Sequence, residues 1–403
     1  MTGEETLVGE TSISVNDADK SGRGWKSRAR TFIVGRSLAA CIESGRDNIL
    51  ELRLLAALMV IFGHSYVLVG PQRVADDPLH RLLPPAFMHQ IGVMMFFAIS
   101  GFLVTLSYQR RPDLLRFLRA RALRLWPALI VCAAMWSFVI GPMLSSLPVQ
   151  DYFADGDNHG TAFLYFRKSI SLVDIWPFLP GLFATNPVAF HVNASLWTIP
   201  YEAKMYLCVA LFGVTRLLRF PWAASVLIGL VFAKLVLWPM YTGTVTMPAV
   251  LFFGLQLTGF FGAGAIACLL RRHVPISTGL MILILVLCLS LRTWIHATPF
   301  MWLAVGYFVF WFSYVPRIPS IPRGLDLSYG SYLWAFPTQQ SVVLIAGVTN
   351  PIALFAIVTP IVLGIATLSW LYIEKPALRL KNFRWRRADE AKPLTSSIPI
   401  GTA

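Results

Sequence analysis

The chain has 403 residues, of which 56% are hydrophobic and only 13% charged, and its mean hydropathy is +0.63. A soluble domain carries about a quarter charged residues, so this composition excludes one, and the apolar residues fall in blocks of about twenty, the length of a bilayer-crossing helix. The net charge of +14 would suit nucleic acid, but its placement in alternate loops is a membrane topology signal, and no nucleic-acid partner is expected.

Residues 1–48 are rich in Ser, Gly, Arg and Lys and hold no signal-peptide core. The apolar run from Thr31 to Ile42 is short and broken by Arg36, so this segment reads as a cytoplasmic tail, either solvated or lying on anionic lipid. The first span, Leu50 to Gly70, carries Arg53 and His64. An ionisable group at the centre of a membrane helix costs about 2.5–3.5 kcal/mol on insertion scales, so two in one span ask for a reason. Eleven residues apart, they differ by about 20° around the axis and stand roughly 16 Å apart along it. One face thus presents a cation near a membrane surface and an imidazole about three turns deeper. That layout suits a long ligand with an anionic head and a reactive tail.

Nine further apolar segments follow, at roughly 87–107, 125–147, 195–215, 221–240, 249–270, 275–291, 299–315, 327–347 and 351–373. No repeat of fixed period relates them. Roughly three-quarters of the Lys and Arg residues fall on one set of alternate loops and the two tails. Both termini are therefore expected in the cytoplasm, with an even number of spans. The five cysteines show no CxxC pairing and read as packing residues, so neither a disulfide framework nor a metal site is expected.

Three stretches place polar groups where lipid would forbid them. In Phe96 to Leu106, Ser100 and Gly101 form either a notch for close helix approach or a ligand contact. The inward loop from Arg110 to Pro127 carries six arginines, and Arg121 and Arg124 share a face suited to phosphate. The fourth span opens Ser195-Leu-Trp-Thr-Ile-Pro-Tyr-Glu, which places Glu202 roughly 9 Å below the outer end, the depth expected for His64. A His64–Glu202 pair would make a general base. From spacing alone a rival stays open, in which Glu202 neutralises Lys204 or Lys234 and His64 is a core histidine. Tyr206, one turn on, can hydrogen-bond Glu202 under either reading. The long outward connection, 148–194, is acidic at first and then aromatic and Pro-rich, and its second half is expected to dip back towards the membrane.

Taken in order, ELRLLAALMVIFGHS, FFAISGFL, RARALRLWPA, SLWTIPYEAKMYL, SYGSYLWAFP and the closing LSWLYIEKPALRL, with Glu374 and Pro376, resemble the landmarks of the membrane acyltransferase-3 family over residues 48–380. That family includes bacterial O-antigen, exopolysaccharide and nodulation-factor acetyltransferases. The resemblance implies an all-α polytopic fold of about ten transmembrane helices in the inner membrane. It implies a multi-pass O-acyltransferase that takes an acyl group, acetyl first among candidates, from cytoplasmic acyl-CoA to a sugar hydroxyl. Acyl-CoA is then a co-substrate with no bound cofactor, and the partners are membrane lipid and a glycan or lipid-linked sugar.

By motif match, Arg53 and His64 are the family's pair, Arg121 and Arg124 its inward-loop arginines, and Glu202 its span-four acid. Ala335 departs from the pattern, since the family often has histidine there. The expected division is a basic cytoplasmic tail at 1–48, the membrane domain at 49–374 and a second basic tail at 375–403, with no fused hydrolase-like domain. In the expected mechanism, Arg53, Arg121 and Arg124 hold the phosphates, and His64, oriented by Glu202, takes the hydroxyl proton or carries the acyl group itself. Ser100 and Tyr206 support the site. A transporter using the same charges as a relay, or a non-catalytic scaffold, are the readings from other classes.

Overall fold

Each predicted apolar block forms a helix in the computed structural model, which describes residues 35–84, 86–154, 160–173, 176–237, 249–292, 298–322 and 324–382. We number these helices α1 (Ile49–Leu68), α2 (Met88–Arg110), α3 (Leu114–Met135), α4 (Ile199–Val214) and α5 (Pro221–Phe232). They continue with α6 (Ala249–Leu269), α7 (Thr278–Ser290), α8 (Thr298–Tyr314), α9 (Ser328–Ala346) and α10 (Pro351–Ser369). Side-chain oxygens start several of them: Asp113 accepts from the Arg116 amide, Ser277 from Leu280, and Asn350 from Ile352 and Ala353.

Among the described residues, five helical stretches are long and apolar enough to cross a bilayer: Ile49–Leu68, Met88–Arg110, Leu114–Leu144, Leu251–Leu269 and Pro351–Arg379. α5 and α7 are apolar but shorter. α9 carries Thr338, Gln339 and Gln340, all buried in the protein. Gln339 Nε2 donates to the Ile61 carbonyl and to Ser65 Oγ, each at 2.8 Å, which fastens α9 to α1.

α2 runs through the middle, with α6 and α1 as its main neighbours and α4 and α8 beside it, while α9 and α10 close over α1. Small residues set these approaches. A Cβ at Gly101 would fall on the backbone carbonyl of Phe261, and one at Gly264 on that of Ala98, so α2 and α6 touch backbone to backbone. Gly101 is thus the packing notch of the two readings above.

Two boundaries differ from expectation. The arginine-rich stretch read as an inward loop is helical from Leu114, so Arg116, Arg119, Arg121 and Arg124 ride on the first half of α3, while Arg110 ends α2. The folded body also reaches back to Gly35. Leu38 is fully buried, its amide donates to the Val274 carbonyl at 2.8 Å, and Arg36–Ser37 (β1) pairs antiparallel with Pro275–Ile276 (β2). Asn48 anchors the start of α1 by donating to the Phe312 and Pro316 carbonyls, both at 2.9 Å. Of the tails expected at 1–48 and 375–403, residues 1–34 and 383–403, and with them the side on which the termini lie, fall outside the described residues.

The α2–α6 contact yields a clean test. Gly101→Leu or Gly264→Leu forces two backbones apart and should lower stability by about 1–3 kcal/mol or abolish folding. Gly306→Ala, where a Cβ meets nothing within 4 Å, should leave the thermal midpoint of the detergent-solubilised protein unchanged.

Candidate active site

The antiparallel packing of α1 on α2 sets the site in register. His64 on α1 stacks on His89 of α2, with ring centroids 5.0 Å apart. Eleven residues along each helix, Arg53 and Ser100 line a common cavity. The α1 face read from the sequence therefore looks onto α2, with roughly 16 Å between its two ends.

At the Arg53 end lies a charge cluster. Arg53 pairs with Asp326 at 3.3 Å and its Nε donates to Ser328 Oγ at 3.0 Å. Arg124 pairs with the same carboxylate at 2.9 Å and with Glu374 at 3.1 Å. Ser328 Oγ donates to Asp326 at 2.6 Å, and Ser369 Oγ to Glu374 at 3.1 Å. The Arg124 guanidinium also lies over the Tyr329 ring, at 5.2 Å. A π-helical turn at Trp370–Glu374 brings Glu374 inward to 2% exposure.

Two cations thus face two carboxylates, which is how charges are tolerated away from water. Burial alone would raise the pKa of Asp326, in the loop before α9, but the Arg53 and Arg124 guanidiniums outweigh it and hold the carboxyl below the ordinary range. Asp326 escaped the sequence reading because it lies in a polar loop; only the following Ser328 landmark pointed near it.

Arg121 is differently placed. Its guanidinium sits over the rings of Tyr206 and Phe117, at 5.6 and 5.9 Å, and its Nε is buried with no hydrogen-bond partner. No ion pair holds it among the described residues.

Glu202 does not meet His64. Its Oε1 accepts from Ser100 Oγ at 3.2 Å and from the Tyr206 hydroxyl, at the Arg53 level of the bundle. The expected equal depth fails because residue 195 is not at the outer end of a span. Residues 194–198 form a 3-10 turn, α4 begins at Ile199, and the chain before it descends into the bundle. There Asn193 is fully buried and donates to the Leu333 carbonyl, in the second turn of α9, at 2.8 Å. Gln340 pins the preceding loop through the Val188 and His191 carbonyls, both at 2.8 Å. The rival pairing with Lys204 does not form either, since that ammonium lies over the Tyr201 ring.

Three cavities follow one another between Arg121 and His64. The first, about 1330 Å³, is lined by Arg111, Arg116, Arg119, Arg121, Lys204 and Lys381 among others. It meets the second, about 300 Å³, at Arg121, Leu125, Tyr206 and Lys381; this one holds Arg53, Ser100, Arg124, Glu202 and Asp326. The third, about 190 Å³, holds His64 and His89 and shares Val93 and Tyr332 with the second. The Tyr332 hydroxyl is tied to the Ser195 carbonyl at 2.7 Å and to Thr198 Oγ1 at 2.6 Å. Ala335, where the resemblance led to histidine, is buried in a separate apolar cluster with Ile61, Leu68 and Phe336. Among the described residues no cluster of His, Cys, Asp and Glu could hold a metal ion.

Arginines at one end, the charge cluster in the middle and two imidazoles at the other end thus follow one another inside an apolar helical bundle. The acyltransferase domain family matches residues 49–371, and the chain belongs to it; it is a multi-pass membrane acyltransferase. Among its relatives, the O-acetyl transferase of Shigella phage Sf6 is 29% identical over 335 residues, covering 80% of this chain and 93% of that protein. Nodulation protein 10 of Rhizobium leguminosarum bv. viciae is 26% identical over 370 residues, covering 83% and 94%. No solved structure matches significantly.

The charge cluster and Arg121 separate by mutation. Asp326→Ala leaves two buried guanidiniums sharing one carboxylate and should cost about 3–5 kcal/mol of stability, visible as a lowered thermal midpoint. Arg121→Ala removes no ion pair and should change stability by less than about 1 kcal/mol, leaving the thermal midpoint of the solubilised protein nearly unmoved.

Proposed function

We propose that this chain moves an acyl group, acetyl in the first instance, from cytoplasmic acyl-CoA to a hydroxyl of a cell-surface or secreted glycan, working as a ten-span protein of the inner membrane with both tails in the cytoplasm. The observation that carries this reading is the row of three cavities that starts among arginines and ends at His64. Acyl-CoA has the matching order of parts: phosphates, a thin uncharged arm, and a thioester. The name of the Sf6 relative, O-acetyl transferase, supports an acetyl group moved onto oxygen.

The phosphates dock on Arg121 and its neighbours in the basic mouth. Arg53 and Arg124, each held by carboxylates, form the wall along which the arm passes, and Glu202, Ser100 and Tyr206 line the same stretch. The arm passes between Val93 and Tyr332, and the thioester reaches His64. His64 takes the acceptor hydroxyl proton as the oxygen attacks the acyl carbon; the C–S bond breaks, and the thiolate leaves with that proton as CoA. Carrying the acceptor and donor in one closed site supplies most of the advantage over solution.

Mass spectrometry of surface and secreted glycans from cells with and without the gene tests the activity: a difference of one acetyl mass on a sugar is expected. Unchanged glycans, with substrate flux across the membrane in their place, would mean a transporter. His64→Ala should lower transfer by at least about 10²-fold with protein level unchanged. Val93→Trp should block the passage, so that transfer is lost while acyl-CoA still binds.

A further inference from the structure

The cavity around His64 contains a second imidazole that the transfer described above leaves unused. His89, in the first turn of α2, lays its ring against that of His64 with planes only 25° apart, and the Phe336 ring meets that of His64 edge-on, at 5.2 Å. The Nδ1 atoms of both histidines and Oγ of Ser195 are buried with no hydrogen-bond partner, and all three residues line this one cavity. Buried polar atoms are nearly always satisfied, and a phenyl ring at position 89 would fill the same stack without a desolvated nitrogen.

The surroundings hold His89 in place from two directions. Gly63, next to His64, is bare where a Cβ would run into the backbone nitrogen and Cβ of His89. Asp77, 1% exposed, accepts from the Met88 amide at 3.0 Å and from the Leu79 amide at 2.9 Å, clasping the preceding loop to the helix end beside His89. Phe87 and His80 continue the ring column outward, with centroids 5.8 and 4.3 Å apart in turn.

We propose that His89 is a second catalytic residue of the transfer, donating a hydrogen bond from its neutral ring to the acyl carbonyl oxygen while His64 takes the hydroxyl proton. The inference rests on the acyl-transfer reading. As the acceptor oxygen bonds to the acyl carbon, the carbonyl electron pair moves onto oxygen, and a fixed N–H aimed there stabilises the charge without solvent rearrangement. When the C–S bond breaks, that pair returns to re-form the carbonyl, and His89 keeps its proton throughout. The stoichiometry stays one acyl-CoA and one hydroxyl to one ester and one CoA.

The test uses membrane vesicles carrying the full chain, radiolabelled acetyl-CoA as donor and the endogenous glycan as acceptor. His89→Phe keeps the ring stack and loses the donor; His89→Gln keeps an N–H donor and loses the stack. We expect His89→Phe to lower kcat by about 10²-fold with KM for acetyl-CoA within about threefold, and His89→Gln to retain at least about tenfold more activity than His89→Phe. Wild-type rates in His89→Phe, or equal loss in both variants at equal folded protein, would overturn the assignment. If the wild type transfers label, His64→Ala does not, and His89→Phe does, only the role of His89 falls. If the wild type transfers none, the acyl-transfer reading falls, and this inference with it.

Discussion

The structure depends on how closely α1 and α2 can pack. Gly63 gives His89 room against α1, and Gly92 brings α2 against the Ala56 carbonyl. Between them these two glycines fix an antiparallel register in which His64 faces His89 at one end and Arg53 shares a cavity with Ser100 at the other. A slip of one helical turn, roughly 5.4 Å, would part His64 from His89 and Arg53 from the cavity it shares with Ser100. In the absence of a hydrophobic drive between membrane helices, such close contacts decide where the helices stop sliding.

Two groups of polar side chains inside the bundle have opposite consequences. The cluster of Arg53, Arg124, Asp326 and Glu374 is internally matched, with its serines completing the carboxylates. It links α1, α3, the loop before α9 and the end of α10. Removing one member leaves a charge stranded, which is why such clusters act as rigid walls. Arg121, His64, His89 and Ser195 each keep a buried polar atom unsatisfied. These border the cavities, where a bound molecule can supply the missing partner.

Much of the helical plan was legible in the sequence, because apolar blocks of about twenty residues report directly on helices in lipid. The face shared by Arg53 and His64 was legible too, since eleven residues is close to three whole turns. The depth of Glu202 was not. It depended on where α4 begins, and Asn193 to Thr198 enter the bundle as a buried residue and a 3-10 turn, tolerated because protein covers them. Asp326 was hidden in a polar loop, and its role exists only once α1 and α3 bring two guanidiniums to it. His89 looked like the lip of the second span; nothing local shows that Gly63 of another helix leaves space for it. The phosphate role expected of Arg53 and Arg124 could not be weighed without the carboxylates they face.

The central claim is that a single molecule of acyl-CoA reaches from Arg121 to His64. A structure of the full chain bound to a non-transferable thioether analogue of acetyl-CoA tests it most directly. The account predicts phosphates beside Arg121 in the basic mouth, the arm passing Arg53 between Val93 and Tyr332, and the acyl end between His64 and His89. Density for the analogue that ends before Val93, or that enters from another face of the bundle, would contradict it.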